Sequence, residues 1–478
     1  MKTISWRAQA SFWLWTLVVV IGCGGEGRVK DRDAGAADFA SPTGSPTNEA
    51  PAPGFGEGGT VASCSGNQST TIRGRVFDPA GRVPLYGIAV YAPSGALPQF
   101  TDGASCDRCE TPVHAYASAL TDEAGEFVLS GLPEVSQVTL ALQAGKWLRT
   151  VKVSTKPCQD NTIPDRTGGD ATLRLPRNQK EGHVPKIALV QGGCDGMMCG
   201  FQRYGIDAAE FEAAPAPQGG RVHLYNYEEW SAASRADSYF RLLGDLSLMK
   251  SYDLIFLACW CRNARRDTTP TLQPVLDAAG DRIVQYLDAG GRLFATHFHH
   301  AWFSGGPSTL KKLADWSRVD NADETLSASR IETSFPKGKA LAKWLSLQGR
   351  LLPSTTDRVT FGTFSDVGNV NADATRWVYT EPANDQLNKL SVLLFTANAP
   401  VGAKAAEQCG RAVFTDSHVA SHLGQVASPT GGIAFDCAQN ATGTEPSNDE
   451  RALEFMFFDF ASCIVPDSVA PKPPPVIK

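Results

Sequence analysis

Gly291-Arg-Leu-Phe-Ala-Thr-His-Phe-His-His300 is the stretch on which the reading of the fold turns. Arg292 to Thr296 is a short, mostly apolar run behind a glycine turn, which reads as a buried strand ending in a histidine cluster. Ahead of it, Ala278 to Leu287 places Ile283, Val284 and Leu287 at helical spacing, and Asp288-Ala-Gly-Gly291 supplies the turn that stops a helix. Helix, glycine turn and strand make one α/β unit. In open parallel sheets reactive groups collect just past the carboxyl ends of strands, and His297, His299 and His300 fall there.

Outward from this unit, Lys186 to Gln191, Arg221 to Tyr225, Asp253 to Ala258, Leu390 to Thr396 and Arg411 to Thr415 read as further strands. Helices are expected at Ile206 to Phe211, before Leu248, and at Asp449 to Phe460. The alternation predicts an α/β domain with a mainly parallel sheet over residues 184–463.

Three pieces of this half resemble the class I glutamine amidotransferase-like (flavodoxin-like) fold, and within it the ThuA-like group. They are Tyr252-Asp-Leu-Ile-Phe-Leu-Ala258, Ile283-Val-Gln-Tyr-Leu-Asp-Ala-Gly-Gly-Arg-Leu-Phe-Ala-Thr-His297 and Gly410-Arg-Ala-Val-Phe-Thr-Asp-Ser-His418. In amidotransferases the elbow after this strand presents a cysteine nucleophile. His297 takes that place here, so the resemblance implies that thiol-based glutamine hydrolysis is absent.

Asp195 follows the first of these strands, while Asp416, His418 and His422 follow the last. Parallel strands would bring all of these groups to one rim. Asp195, His297, Asp416 and His418 are therefore the candidates for general acid–base catalysis. His297, His299, His300, His418 and His422 are the candidates for holding Zn²⁺ or a similar divalent ion. The competing reading, in which these histidines pack or cap, stays open. Trp302, Phe303 and Trp316 could stack a sugar ring or fill the core, and the core is the default.

Residues 64–177 change pattern to short alternating runs between turns: Thr71 to Phe77, Ile88 to Ala92, Ala117 to Thr121, Glu126 to Leu129, Val138 to Ala144 and Trp147 to Val153. Such spacing predicts an antiparallel β-sandwich ahead of the α/β domain. Asp78-Pro-Ala-Gly81 and Asp122-Glu-Ala-Gly125 supply the turns. Ile72-Arg-Gly-Arg-Val-Phe77 and Leu120-Thr-Asp-Glu-Ala-Gly-Glu-Phe-Val-Leu-Ser-Gly-Leu-Pro133 resemble the carboxypeptidase regulatory-like family, a prealbumin-type sandwich. That resemblance implies attachment or stabilisation rather than chemistry.

Residues 1–23 combine Lys2 and Arg7 with an apolar core from Phe12 to Ile21, too short to span a bilayer, and read as an export signal. Val20-Ile21-Gly22-Cys23 resembles a bacterial lipobox. On that resemblance Cys23 is lipidated, and the residues after it fit an outer-membrane or cell-surface location. Residues 24–63 are too polar and small to order themselves and read as a tether; residues 464–478, with Pro473-Pro-Pro475, read as a disordered tail.

Export implies disulfides among the remaining cysteines. Cys64 and Cys158 could staple the sandwich, and Cys106 and Cys109 could bridge locally. Cys194 and Cys199 could face Cys259 and Cys261 across neighbouring loops, with a four-cysteine zinc site as the competing reading. A net charge of −6 argues against a nucleic-acid partner. These features together predict a lipid-anchored surface protein whose α/β rim binds a small polar ligand, a carbohydrate or a peptide. A hydrolase or isomerase built on His297 and His418 is one alternative, and a structural envelope lipoprotein is another.

Overall fold

A computed structural model of the chain describes residues 64–477, except 66–67, 110, 166–171, 193–194, 227–236, 260–272, 319–324, 418–424, 428–432, 436 and 438–445. The export signal, Cys23, the tether, Cys194, Cys261, His418 and His422 lie outside the described residues.

The N-terminal region carries β1 (Thr70–Arg75), β2 (Ala89–Pro93), β3 (Val113–Leu120), β4 (Glu126–Leu132), β5 (Gln137–Ala144), β6 (Trp147–Ser154) and β7 (Asp160–Thr162). They form a three-stranded sheet, β4-β1-β7, and a larger sheet in which β3-β2-β5-β6 pair antiparallel. The alternation in β6 explains the arrangement: Trp147, Val151 and Val153 are buried while Thr150, Lys152 and Ser154 face water. Asp78 holds its predicted turn, accepting from the backbone amides of Arg82 (2.6 Å) and Val83 (3.0 Å).

The second region is a ten-stranded sheet. Its strands are β8 (Ile187–Val190), β9 (Phe211–Ala213), β10 (Val222–Tyr225), β11 (Leu254–Leu257), β12 (Arg292–Thr296), β13 (Thr325–Ile331), β14 (Arg358–Thr363), β15 (Thr375–Thr380), β16 (Ser391–Ala399) and β17 (Gly410–Thr415). The order is β14-β13-β15-β16-β17-β12-β11-β8-β10-β9. Pairing is parallel from β17 through β9 and antiparallel from β14 through β17. Helices α1 (Met197–Arg203), α2 (Gln273–Asp288), α3 (Pro336–Leu347) and α4 (Asn448–Ala461) pack with it. The helix expected at Ile206 to Phe211 lies earlier, in α1; a short 3₁₀ turn, Ala208–Glu210, comes after it. Fully buried on both faces, β11 (Leu-Ile-Phe-Leu) and β12 lack alternation, as central parallel strands do.

The two regions share one core. Trp147 meets the rings of Phe457 and Phe458 on α4 at 6.1 and 6.3 Å, and Tyr86 stacks on Phe455 at 5.6 Å. Lys146 and Asp253 form a buried ion pair across the junction at 2.5 Å. Two disulfides add covalent ties, Cys106–Cys409 and Cys109–Cys463, so Cys106 and Cys109 do not bridge each other. Docking brings each close to a distant partner, with Cα–Cα separations of 4.6 and 4.9 Å. Cys64 pairs with Cys158.

The tail departs from its expectation of disorder. Asp467 is buried against Arg411 at 2.7 Å, and Val476–Ile477 add a short strand parallel to β3, Val476 opposite Val113.

The junction also carries a pH dependence. Burial, reinforced by Asp78, pushes Glu454 on α4 up to about 8, and burial pushes Asp78 itself up to about 6, against Arg451 and Arg82, which lower both. Both folded values exceed the unfolded ones, so the native state binds more protons. Stability from these groups is complete below about pH 4 and is lost as pH rises through 6 to 8. Glu454→Gln is expected to flatten that loss and to add on the order of 1–3 kcal/mol at pH 8, read from urea unfolding between pH 5 and 9.

Candidate functional site

β8 and β11 flank the point where the strand order reverses, because the chain leaves β8 for β9 and β10 on one side and returns to β11 and β12 on the other. Crevices form at such switch points beyond the carboxyl ends of the strands. Asp195 follows β8, Cys259 follows β11, His297 follows β12 and Asp416 follows β17. All four are buried.

His297 sits where β12 breaks into a 3₁₀ turn, with φ at +33°, a conformation that a side chain with a Cβ seldom adopts. The strained backbone turns its imidazole back over the strand ends. Phe364 stacks on the ring at 3.6 Å with an interplanar angle of 15°. Nδ1 lies 3.4 Å from Cys259 Sγ, and Nε2 lies 3.5 Å from Asp366 Oδ2. Asp366 stands on the β14–β15 connection, and its backbone amide donates to Asp416 Oδ2 at 2.8 Å. One ligand atom each of His297, Asp366 and Asp416 therefore falls within 4.8 Å of the others.

Two carboxyl groups this close and this dry cannot both ionise alone. Burial first, and Asp366 second, raise Asp416 well above the usual carboxylate range. Asp416 Oδ1 is fully buried and accepts no hydrogen bond from the described residues. A divalent cation would take the place of the proton and fill that gap. One imidazole and two carboxylates suit such an ion, and a tetrahedral Zn²⁺ holds its ligand atoms about 3.3 Å apart, near the His297–Asp366 spacing.

The other predicted residues take different roles. His299 is no ligand: Nε2 faces the Ala258 carbonyl (3.1 Å), Nδ1 accepts from Trp302 Nε1 (3.1 Å), and burial lowers its pKa to about 4. His300 lies outside the His297 group, with Nδ1 3.3 Å from Ser304 Oγ. Asp195 accepts from the Thr296 hydroxyl (2.6 Å) and the Cys259 amide (3.2 Å), tying together the ends of three strands. Cys199 pairs with Cys437, not with the Cys259 loop, and Cys259 is a thiol whose pKa burial drives well up. Trp302 and Phe303 are fully buried, which leaves no sugar-stacking face on either.

Sequence reasoning missed Asp366, and it gave Cys259 a disulfide or a four-cysteine zinc site rather than a place as a thiol beside His297. Asp366 carries no motif and reaches the rim only because the antiparallel half of the sheet folds back beside β17.

No protein-family profile matches the chain, and no curated protein is a significant match. Among solved structures it is similar to a cytoplasmic protein from Salmonella typhimurium (10% identity, 58% of this chain and 98% of that one, TM-score 0.28). It is also similar to a putative ThuA-like protein from Bacteroides uniformis (12% identity, 49% and 82%, TM-score 0.24). A third is an IFT52 N-terminal domain (10% identity, 59% and 99%, TM-score 0.28).

Proposed function

We propose that this chain is an exported, lipid-anchored protein of ThuA-like type whose α/β rim is a divalent-metal hydrolytic centre. The convergence of His297, Asp366 and Asp416 at the strand ends carries the reading: all three are buried, and Asp416 Oδ1 has no donor among the described residues. Export and anchoring rest on residues 1–23, on Cys23 in its lipobox-like setting, and on four disulfides among the described residues that fit an oxidising compartment.

In this centre His297 Nε2, Asp366 and Asp416 are the protein ligands, and Zn²⁺ is the candidate ion. The ion would lower the pKa of a bound water and polarise a substrate oxygen. Phe364 and Cys259 fix the plane of the imidazole, and Asp195 keeps the β8, β11 and β12 ends in register through Thr296.

Equilibrium dialysis of the purified chain against Zn²⁺ is expected to give one ion per chain. His297→Ala and Asp416→Asn are each expected to weaken binding at least about 100-fold, with unchanged circular dichroism. Absence of stoichiometric binding to the wild type would end the metal reading and return the rim to carbohydrate or peptide recognition.

A further inference from the structure

A cavity lies in the N-terminal region, on the outer face of the β3-β2-β5-β6 sheet. That face is apolar: Tyr91, Ala115, Ala141 and Leu148 are buried on it, and Leu97 and Phe100 from the β2–β3 connection pack over them. The connection is a flap pinned at one end. Gly103 donates its amide to Asp253 Oδ1 (3.0 Å), and Lys146 Nζ donates to the carbonyls of Thr101 (2.9 Å) and Gly103 (2.8 Å). The disulfides at Cys106 and Cys109 then fasten the stretch that leads into β3. Between flap and sheet stays a cavity of about 530 Å³.

Protein interiors pack densely, so a preformed space of this size over an apolar floor is a ligand site by default. It is open because Gly87, Ala89 and Ala96 line it where larger side chains would fill it. The polar groups on the floor are mutually satisfied, with the Tyr91 hydroxyl donating to Gln143 Oε1 (2.8 Å) and Gln143 Nε2 donating to the Gly145 carbonyl (2.9 Å). The charge of the lining comes from Lys472 and from Arg108, whose guanidinium also donates to the Ala406 carbonyl, set against Asp107, which Ser105 Oγ already engages at 3.1 Å.

We infer that this cavity binds a single-chain amphipathic carboxylate, its hydrocarbon over Tyr91 and beneath Phe100 and its anionic head beside Arg108 and Lys472. The site is independent of the metal centre. Covalent and ionic pinning of the flap preorganises it, so little ordering accompanies binding.

Isothermal titration of the full chain with dodecanoate, and with dodecanol as the uncharged comparator, tests this. Dodecanoate is expected to bind one to one and at least tenfold more tightly than dodecanol. Ala89→Phe and Leu120→Trp, which place bulk in the cavity from two different strands, are each expected to weaken dodecanoate at least tenfold while thermal unfolding stays cooperative. No saturable dodecanoate binding by the wild type would overturn the inference, as would unchanged affinity in either folded variant. Equal affinity for dodecanol would overturn the assignment of the anionic head.

Discussion

The combined variant Cys106→Ser, Cys109→Ser, Cys409→Ser, Cys463→Ser is expected to lose at least about 5 kcal/mol of unfolding free energy. The two bridges join residues 303 and 354 positions apart, so they close very long loops in the unfolded chain. In the chain-entropy view the first such closure dominates, and the second, nested beside it, adds less. Both bridges also anchor the flap and tie it to the α/β region, which predicts a second symptom: limited proteolysis near Leu97 should accelerate in the variant. Urea unfolding with intact and substituted bridges measures the first effect. An unfolding free energy within about 1 kcal/mol of the wild type would show that noncovalent packing at the Trp147 and Tyr86 contacts holds the regions together unaided.

Arg411→Leu is expected to cost about 3–5 kcal/mol. Arg411 is 2% exposed and sits at the start of β17, where it pairs with Asp467 (2.7 Å) and Asp459 (3.1 Å) and donates to Asn398 Oδ1 (2.9 Å). Lys337 adds a second cation, 2.7 Å from Asp459. Removing the guanidinium leaves two buried carboxylates facing one lysine. The penalty is that of uncompensated charge rather than of lost packing, so it should shrink when Asp467→Asn is added. A double-mutant cycle read by denaturant unfolding checks this, and simple additivity of the two substitutions would contradict it.

Much of the α/β framework was legible because local signals and burial agreed. The glycine turn at Gly290-Gly291 and the apolar run after it gave β12 at its observed bounds, and the helix expected at Asp449 to Phe460 matches α4 within one residue at each end. Ser447 forms a full capping box with Glu450, so the local chemistry was sufficient there. The rim rule likewise placed His297 and Asp416 together. Features that depend on docking could not be read. The partners of Cys106 and Cys109 lie more than 300 residues away and meet them only after two regions associate. Asp467, in a proline-rich tail whose composition resembles a linker, is fixed by Arg411, a contact invisible to composition. Within the His297-Phe-His-His300 cluster, spacing alone does not separate a ring strained outward over the rim from one turned inward onto Trp302.

Anomalous diffraction at the zinc absorption edge from crystals grown with Zn²⁺ would locate an ion at the rim directly. One peak is expected about 2.0–2.2 Å from His297 Nε2 and from a carboxylate oxygen of Asp366 and of Asp416, absent in Asp416→Asn. A peak elsewhere, or none at the rim while His297 stays against Asp366, would contradict the metal reading.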